Sequence, residues 1–166
     1  LMFLAKLNSL LEPHSSKNLY GFDNFDGLPE SINLDGNFAS TQIGNYKGDE
    51  ELLRQMISLF NFQHKIELVV GDALDTITEF SDQNADALIS FAYLDFDLYE
   101  PTKRALSFIE QHISVGGMIV FDEAGDKRWP GETIAMKEYL AETEHKFEAK
   151  SNTMGNRPTI AFKRVL

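Results

Sequence analysis

Acidic side chains fall where the predicted strands end, and that placement could support chemistry. "YLDFD" closes an apolar run on Asp95 and Asp97, "VVGD" ends on Asp72, "YGFD" on Asp23, and "MIVFDE" on Asp122 and Glu123. A carboxylate at the end of a buried strand is costly unless a cation or hydrogen-bond donors meet it. Carboxylates drawn together raise one another's pKa unless positive charge sits among them. A hard divalent cation such as magnesium takes oxygen ligands of this kind, and Asp95, Asp122 and Glu123 are the set to hold it. The alternative is neutralisation by Lys127 or Arg128.

Each acid also has a plain structural use. A strand-end Asp often caps the next helix, which is the expected role of Asp97 ahead of a helix beginning at Tyr99. Asp23, in "FDNFDG", suits an Asx-turn as well as it suits ligand contact. Adjacent strand residues point to opposite faces. Asp122 and Glu123 can therefore act together only where the strand has broken, which "EAGD" permits.

The elements that must position these acids alternate. "LMFLAKLNSLL" has a helical stripe, ended by Pro13. "KNLYGFD" (17–23) reads as a short strand. Residues 24–48, rich in Gly, Asn and Ser, read as a long loop, either a lid carrying Phe25, Phe38 and Tyr46 or a disordered crossover. Helix 49–62 opens with acids and carries a Leu52, Leu53, Met56, Leu59, Phe60 stripe. Strand 65–72 and helix 74–82 follow. Residues 85–97 form a near-continuous apolar run, expected of a strand buried on both faces. Helix 100–113 points Ala105, Leu106, Ile109 and Ile113 inward, "VGG" (115–117) is a turn, and 118–125 is another buried strand. Helix 130–143 leads to a closing antiparallel pair joined by "TMGN". The alternation argues for an α/β fold with a mostly parallel sheet and helices on both faces.

Composition narrows the function. The 166 residues suit one domain, and 43% apolar with 25% charged residues argue for a packed core. A formal charge of -11 disfavours general nucleic-acid binding. Without cysteine, any metal site must use O or N ligands. No apolar stretch is long enough to span a bilayer, so no membrane association is expected and the cytoplasm is the expected compartment. His14, His64, His112 and His145 lie on predicted turns or helix ends and receive no role. Trp129, the single Trp, either covers an acceptor or packs beneath the following helix.

"YGFDNFDGLPE", "LVVGDALDTI", "LDFDLYEPTKRAL", "GGMIVFDEAG" and "WPGETIAMKEYL" together resemble class I S-adenosylmethionine-dependent methyltransferases of the macrocin O-methyltransferase-like branch, over roughly residues 17–140. The resemblance implies a Rossmann-like, doubly wound fold and magnesium-assisted methyl transfer to a hydroxyl of a small molecule such as a sugar. It places Asp23 on the cofactor's ribose and Gly71, Asp72 and Ala73 along its adenine. It places Asp95 at the metal and beside the cofactor's methionine end, where Asp95 is also the candidate base, and it completes the metal site with Asp122 and Glu123. Many members of the family have Asp-Asp where this chain has Asp122-Glu123.

Such enzymes also carry a first strand and a Gly-rich loop ahead of a helix like "LMFLAKLNSLL", and nothing resembling them is present. The expectation is an N-terminally truncated chain with two strand edges unpaired, open to a homodimer. A rival reading keeps the fold and drops catalysis, leaving a binding module; upstream sequence carrying the Gly-rich loop would favour the enzyme. A second rival, a nucleotide-binding or response-regulator-like domain, lacks a phosphate-cradling loop.

Overall fold

A computed structural model describes residues 1–151 and 159–166; "TMGN" lies outside these residues. Helix α1 (Met2–Leu11) precedes strand β1 (Leu19–Asp23). Segment 24–48 contains a 3-10 turn (Asn33–Asp35) and a short helix α2 (Gly36–Ser40), so it is not the structureless loop its composition suggests. Then come α3 (Glu50–Leu59), β2 (Ile66–Val70), α4 (Ala73–Gln83), β3 (Ile89–Leu94), α5 (Tyr99–His112), β4 (Ile113–Phe121), α6 (Pro130–Glu142), β5 (Phe147–Ser151) and β6 (Ile160–Arg164).

Local signals explain three of the helix starts. Asp49 caps α3 by accepting from the Leu52 amide at 2.9 Å, with Glu50 and Glu51 in the first turn facing the positive end of the helix dipole. Asp72 caps α4 by accepting from the Leu74 amide at 2.8 Å. Pro130 opens α6, where a missing N–H costs nothing.

The strands form two sheets. β1 pairs with β2 in parallel, while β3, β4, β6 and β5 form a second sheet in that order. β3 and β4 are parallel, and β6 joins β4 and β5 antiparallel. Because the two sheets are not hydrogen-bonded to each other, β1 and β3 each keep one unpaired edge among the described residues. Helices α4, α5 and α6 share a core with the second sheet around Leu94, Leu106, Ile109, Ile119, Phe121 and Met136. α1 and α3 close a smaller core with β2 through Ala5, Ile57, Phe62 and Ile66.

Two expectations need correction. β3 is not buried on both faces: Leu94 is buried, but Phe91 and Tyr93 on the opposite face are 42% and 46% exposed. The helices cover one face of this strand, so its apolar run is longer than its burial. "VGG" is not a turn between elements but lies inside β4. Gly116 takes a positive φ of 87° there, and the ladder with β3 shifts register between its pairings at Ile89 and Phe91. The glycines thus make an irregularity within a strand, a recognised use of Gly in sheets.

Candidate active site

In a parallel α/β sheet, ligands bind beyond the carboxyl ends of the strands. Those ends carry acids in both sheets here. At the end of β1, Asp23 is exposed, and its Oδ1 accepts from the Phe25 amide at 2.8 Å, the Asx-turn anticipated. This fixes the carboxylate in open solvent with its acceptor character intact. At the end of β2, Gly71 has a φ of 140°, and a Cβ there would approach the Thr76 methyl at 2.9 Å. A bare backbone therefore passes into the Asp72 cap and Ala73, the first residue of α4.

The second sheet is different. β4 ends at Phe121, so Asp122 and Glu123 lie beyond the strand, which satisfies the condition for their acting together. Both are buried, Asp122 to 3% exposure. The Tyr93 hydroxyl donates to Asp122 Oδ1. The Thr159 hydroxyl approaches the Asp122 carbonyl oxygen at 3.3 Å and Oδ1 at 3.5 Å. Asp95 is exposed just past β3.

Among the described residues no three His, Asp or Glu side chains are arranged to hold a metal ion. The expected set of Asp95, Asp122 and Glu123 is therefore not gathered into a preformed cation site among the described residues. Among the described residues Asp122 accepts from the Tyr93 hydroxyl, with the Thr159 hydroxyl nearby, as a buried carboxylate requires. Arg128 lies within electrostatic reach of Glu123. It pairs at 2.6 Å with Asp126, whose carboxyl its hydrogen bonds hold down to about 2.

Asp97 is not the cap of α5. The N-cap residue is Leu98, with no side-chain bond to the helix, and Asp97 sits at a φ of 63°. The Tyr99 amide donates instead to Asp35 Oδ1 at 2.7 Å. Trp129 resolves to packing: it is 4% exposed, clustered with Leu28, Ala39 and Leu98.

Sequence reasoning missed Glu132. It lies in the first turn of α6, wholly buried, and its Oε1 accepts from the Glu123 amide at 3.1 Å. Its Oε2 is buried with no hydrogen-bond partner among the described residues. Burial pushes its pKa up to about 8; the Glu123 amide partly offsets this, and the charges of Asp97, Asp95 and Asp122 add to it. A neutral Glu132 near pH 7 lowers the negative charge at this edge. The neighbouring Thr133 hydroxyl accepts from the Gly125 amide at 2.8 Å. The two side chains thus tether the loop after β4 to α6. The one available signal was position: an acid in a helix's first turn reads as a dipole partner, which conceals burial.

A family model described as a methyltransferase domain matches residues 2–124. Among solved structures, the calicheamicin methyltransferase CalS11 is 29% identical, with a TM-score of 0.80 over 97% of this chain and 65% of that one. The apo form of CalS11, described as a TDP-rhamnose 3'-O-methyltransferase, aligns at a TM-score of 0.71 and 28% identity, over 97% of this chain and 64% of that one. An O-methyltransferase from Bacillus cereus, solved in complex with SAH, shares the fold at 16% identity and a TM-score of 0.59, over 99% of this chain and 79% of that one. The chain thus spans just under two thirds of the length of CalS11 and takes the same Rossmann-like α/β fold. No curated protein matches it.

Proposed function

The chain belongs to the methyltransferase-domain family, and we propose that it acts as an S-adenosylmethionine-dependent O-methyltransferase on a hydroxyl of a small molecule, a sugar or a similar natural-product acceptor. The observation that supports this most is the match of 97% of the chain to CalS11 at 29% identity. The donor set at β1 and β2 suits the cofactor. Asp23, held at a strand end in solvent, offers a carboxylate to vicinal ribose hydroxyls. The open backbone at Gly71, with the cap at Asp72 and the start of α4 at Ala73, suits the face and edge of an adenine.

Bound there, S-adenosylmethionine supplies an electrophilic methyl group on a sulfonium sulfur. The chain's own work is to orient the acceptor hydroxyl in line with that methyl, which supplies much of the rate gain. Asp95, exposed past β3 and beside the cofactor's expected methionine end, would accept the hydroxyl proton as the oxygen–carbon bond forms and the methyl–sulfur bond breaks, leaving a neutral thioether. Asp122 and Glu123 shape the floor beside it. The acids do not form a cation site as they stand, and no step is routed through a metal.

The test is calorimetry with S-adenosylhomocysteine, followed by transfer of a labelled methyl group to a panel of sugar nucleotides and phenols. Binding that weakens at least tenfold in Asp23→Ala, and transfer that falls at least a hundredfold in Asp95→Ala, support the reading. No binding at millimolar ligand sinks it. Binding without transfer to any hydroxyl leaves a binding module.

A further inference from the structure

Segment 28–45 is closed on itself: the Leu28 amide donates to the Asn45 carbonyl at 2.8 Å, and the Gly44 amide to the Leu28 carbonyl at 2.8 Å. Its ends therefore meet. At its middle stands Asp35, 1% exposed. Asp35 Oδ2 accepts from the Ile32 amide within the segment at 2.7 Å, and Oδ1 accepts from the Tyr99 amide at 2.7 Å. One buried carboxylate thus ties the loop to the first residue of α5, which has no side-chain cap of its own. The third wall of this junction is Gly131. A Cβ there would collide with Asp35 Oδ1 and lie 2.6 Å from the Tyr99 nitrogen. Glycine at 131 leaves the room that the carboxylate occupies.

The place of this junction matters more than its strength. Tyr99 stands two residues beyond Asp97, and Gly131 precedes Glu132. The loop is therefore docked at the carboxyl edge of the β3–β4 sheet. The residues suited to the cofactor lie on the other sheet, at Asp23 and Gly71–Ala73. The loop's inner face packs Leu28 and Ala39 against Leu98 and Trp129. It exposes Ile32, Leu34 and Phe38, and Tyr46 follows it; the Phe38 and Tyr46 rings stand edge-on to Trp129 at 5.2 and 6.2 Å. Aromatic and aliphatic side chains held on a fixed support suit the apolar face of a ring.

We propose that residues 28–45 are a preformed wall on the acceptor side of the site, and that Asp35 is the positioning residue that fixes it. The acceptor-side assignment rests on the methyltransferase reading above; the anchoring by Asp35 does not.

The experiment is amide hydrogen exchange on the whole protein, comparing wild type with Asp35→Asn, Asp35→Ala and Gly131→Ala. Asn keeps an acceptor for Tyr99 and loses the one for Ile32. Gly131→Ala leaves Asp35 in place and displaces its carboxylate. The expected result is exchange at least tenfold faster across 28–45 in Asp35→Ala and Gly131→Ala, a smaller gain in Asp35→Asn, and unchanged amides in β3 and β4. Affinity for S-adenosylhomocysteine stays within twofold. With TDP-rhamnose as the acceptor probe, KM for the acceptor rises at least fivefold while kcat stays within twofold. Wild-type exchange rates across 28–45 in Asp35→Ala overturn the proposal. So does equal acceleration throughout both sheets, because Asp35 would then be an ordinary stability residue. A wild type that fails to bind S-adenosylhomocysteine overturns the acceptor-side assignment together with the functional reading, and the exchange map then decides the anchor by itself.

Discussion

The acids of the β1–β2 sheet and those around the ends of β3 and β4 solve the same problem in opposite ways. Asp23 and Asp72 are exposed, and each is met by a backbone amide two residues along the chain. Asp35, Asp122 and Glu132 are buried, and each has a partner on another element or loop: Tyr99 for Asp35, Tyr93 for Asp122, Glu123 for Glu132. Local satisfaction leaves a carboxylate rigid but open to water, which suits hydrogen bonding to a ligand's hydroxyls. Distant satisfaction removes the carboxylate from water and turns it into a joint between chain segments. Near β3 and β4, these buried acids therefore join chain segments around the candidate site, while Asp95 is exposed.

Four measurements sharpen or break that contrast. The largest effect is expected at Asp35. Its two charge-assisted bonds are each worth about 1.5–3 kcal/mol, so Asp35→Ala should lower the free energy of local opening of segment 28–45, read from its amide exchange, by about 3 kcal/mol or more. A loss under about 1 kcal/mol would show that the joint is ornamental.

Glu132 comes next, through pH. Its pKa of about 8 in the folded protein lies above the ordinary 4.5. Between those values the folded chain holds a proton that the unfolded chain has released. Stability is therefore undiminished by this group below about 4.5, falls as pH rises to about 8, and is flat beyond. Glu132→Gln removes that decline and retains an acceptor for the Glu123 amide. Above pH 8 it should exceed the wild type by a few kcal/mol, because the wild type must then give up the proton that its fold holds. Parallel stability curves for the two proteins from pH 5 to 9 would contradict the burial of a protonated acid.

Asp72→Ala loses one exposed helix cap and should cost about 1 kcal/mol. A cost matching that of Asp35→Ala would erase the distinction between local and distant partners. The smallest effect belongs to the pair of half-buried Asp126 and exposed Arg128. Arg128→Ala should change stability by less than about 1 kcal/mol. It should still raise the Asp126 carboxyl from about 2 toward its ordinary value, visible in an NMR titration of that side chain.

Signals that act within a few residues were open to reading from the sequence. The α5 stripe, strand ends, the Asx-turn at Asp23, the Pro130 start of α6 and the row of acids at strand ends depend on neighbours two to four positions away. So did the alternation that specifies the α/β fold. The stripe expected on α3, by contrast, fails: Leu52, Met56, Leu59 and Phe60 are exposed and Ile57 is buried. Tertiary structure decided what depends on partners brought from afar. "NLD" in a Gly- and Asn-rich stretch gives no hint that Asp35 will cap a helix 64 residues later. Leu98 takes the cap position expected of Asp97, because that helix's first amide is already met by Asp35. Glu132 reads as a surface acid in a first turn, and only the packing of α6 against the β4 loop buries it. The sequence placed the carboxylates along one edge; the packing of the chain separated those that join chain segments from Asp95, which is exposed. That division follows from desolvation, a property of the assembled neighbourhood that no residue type or spacing carries.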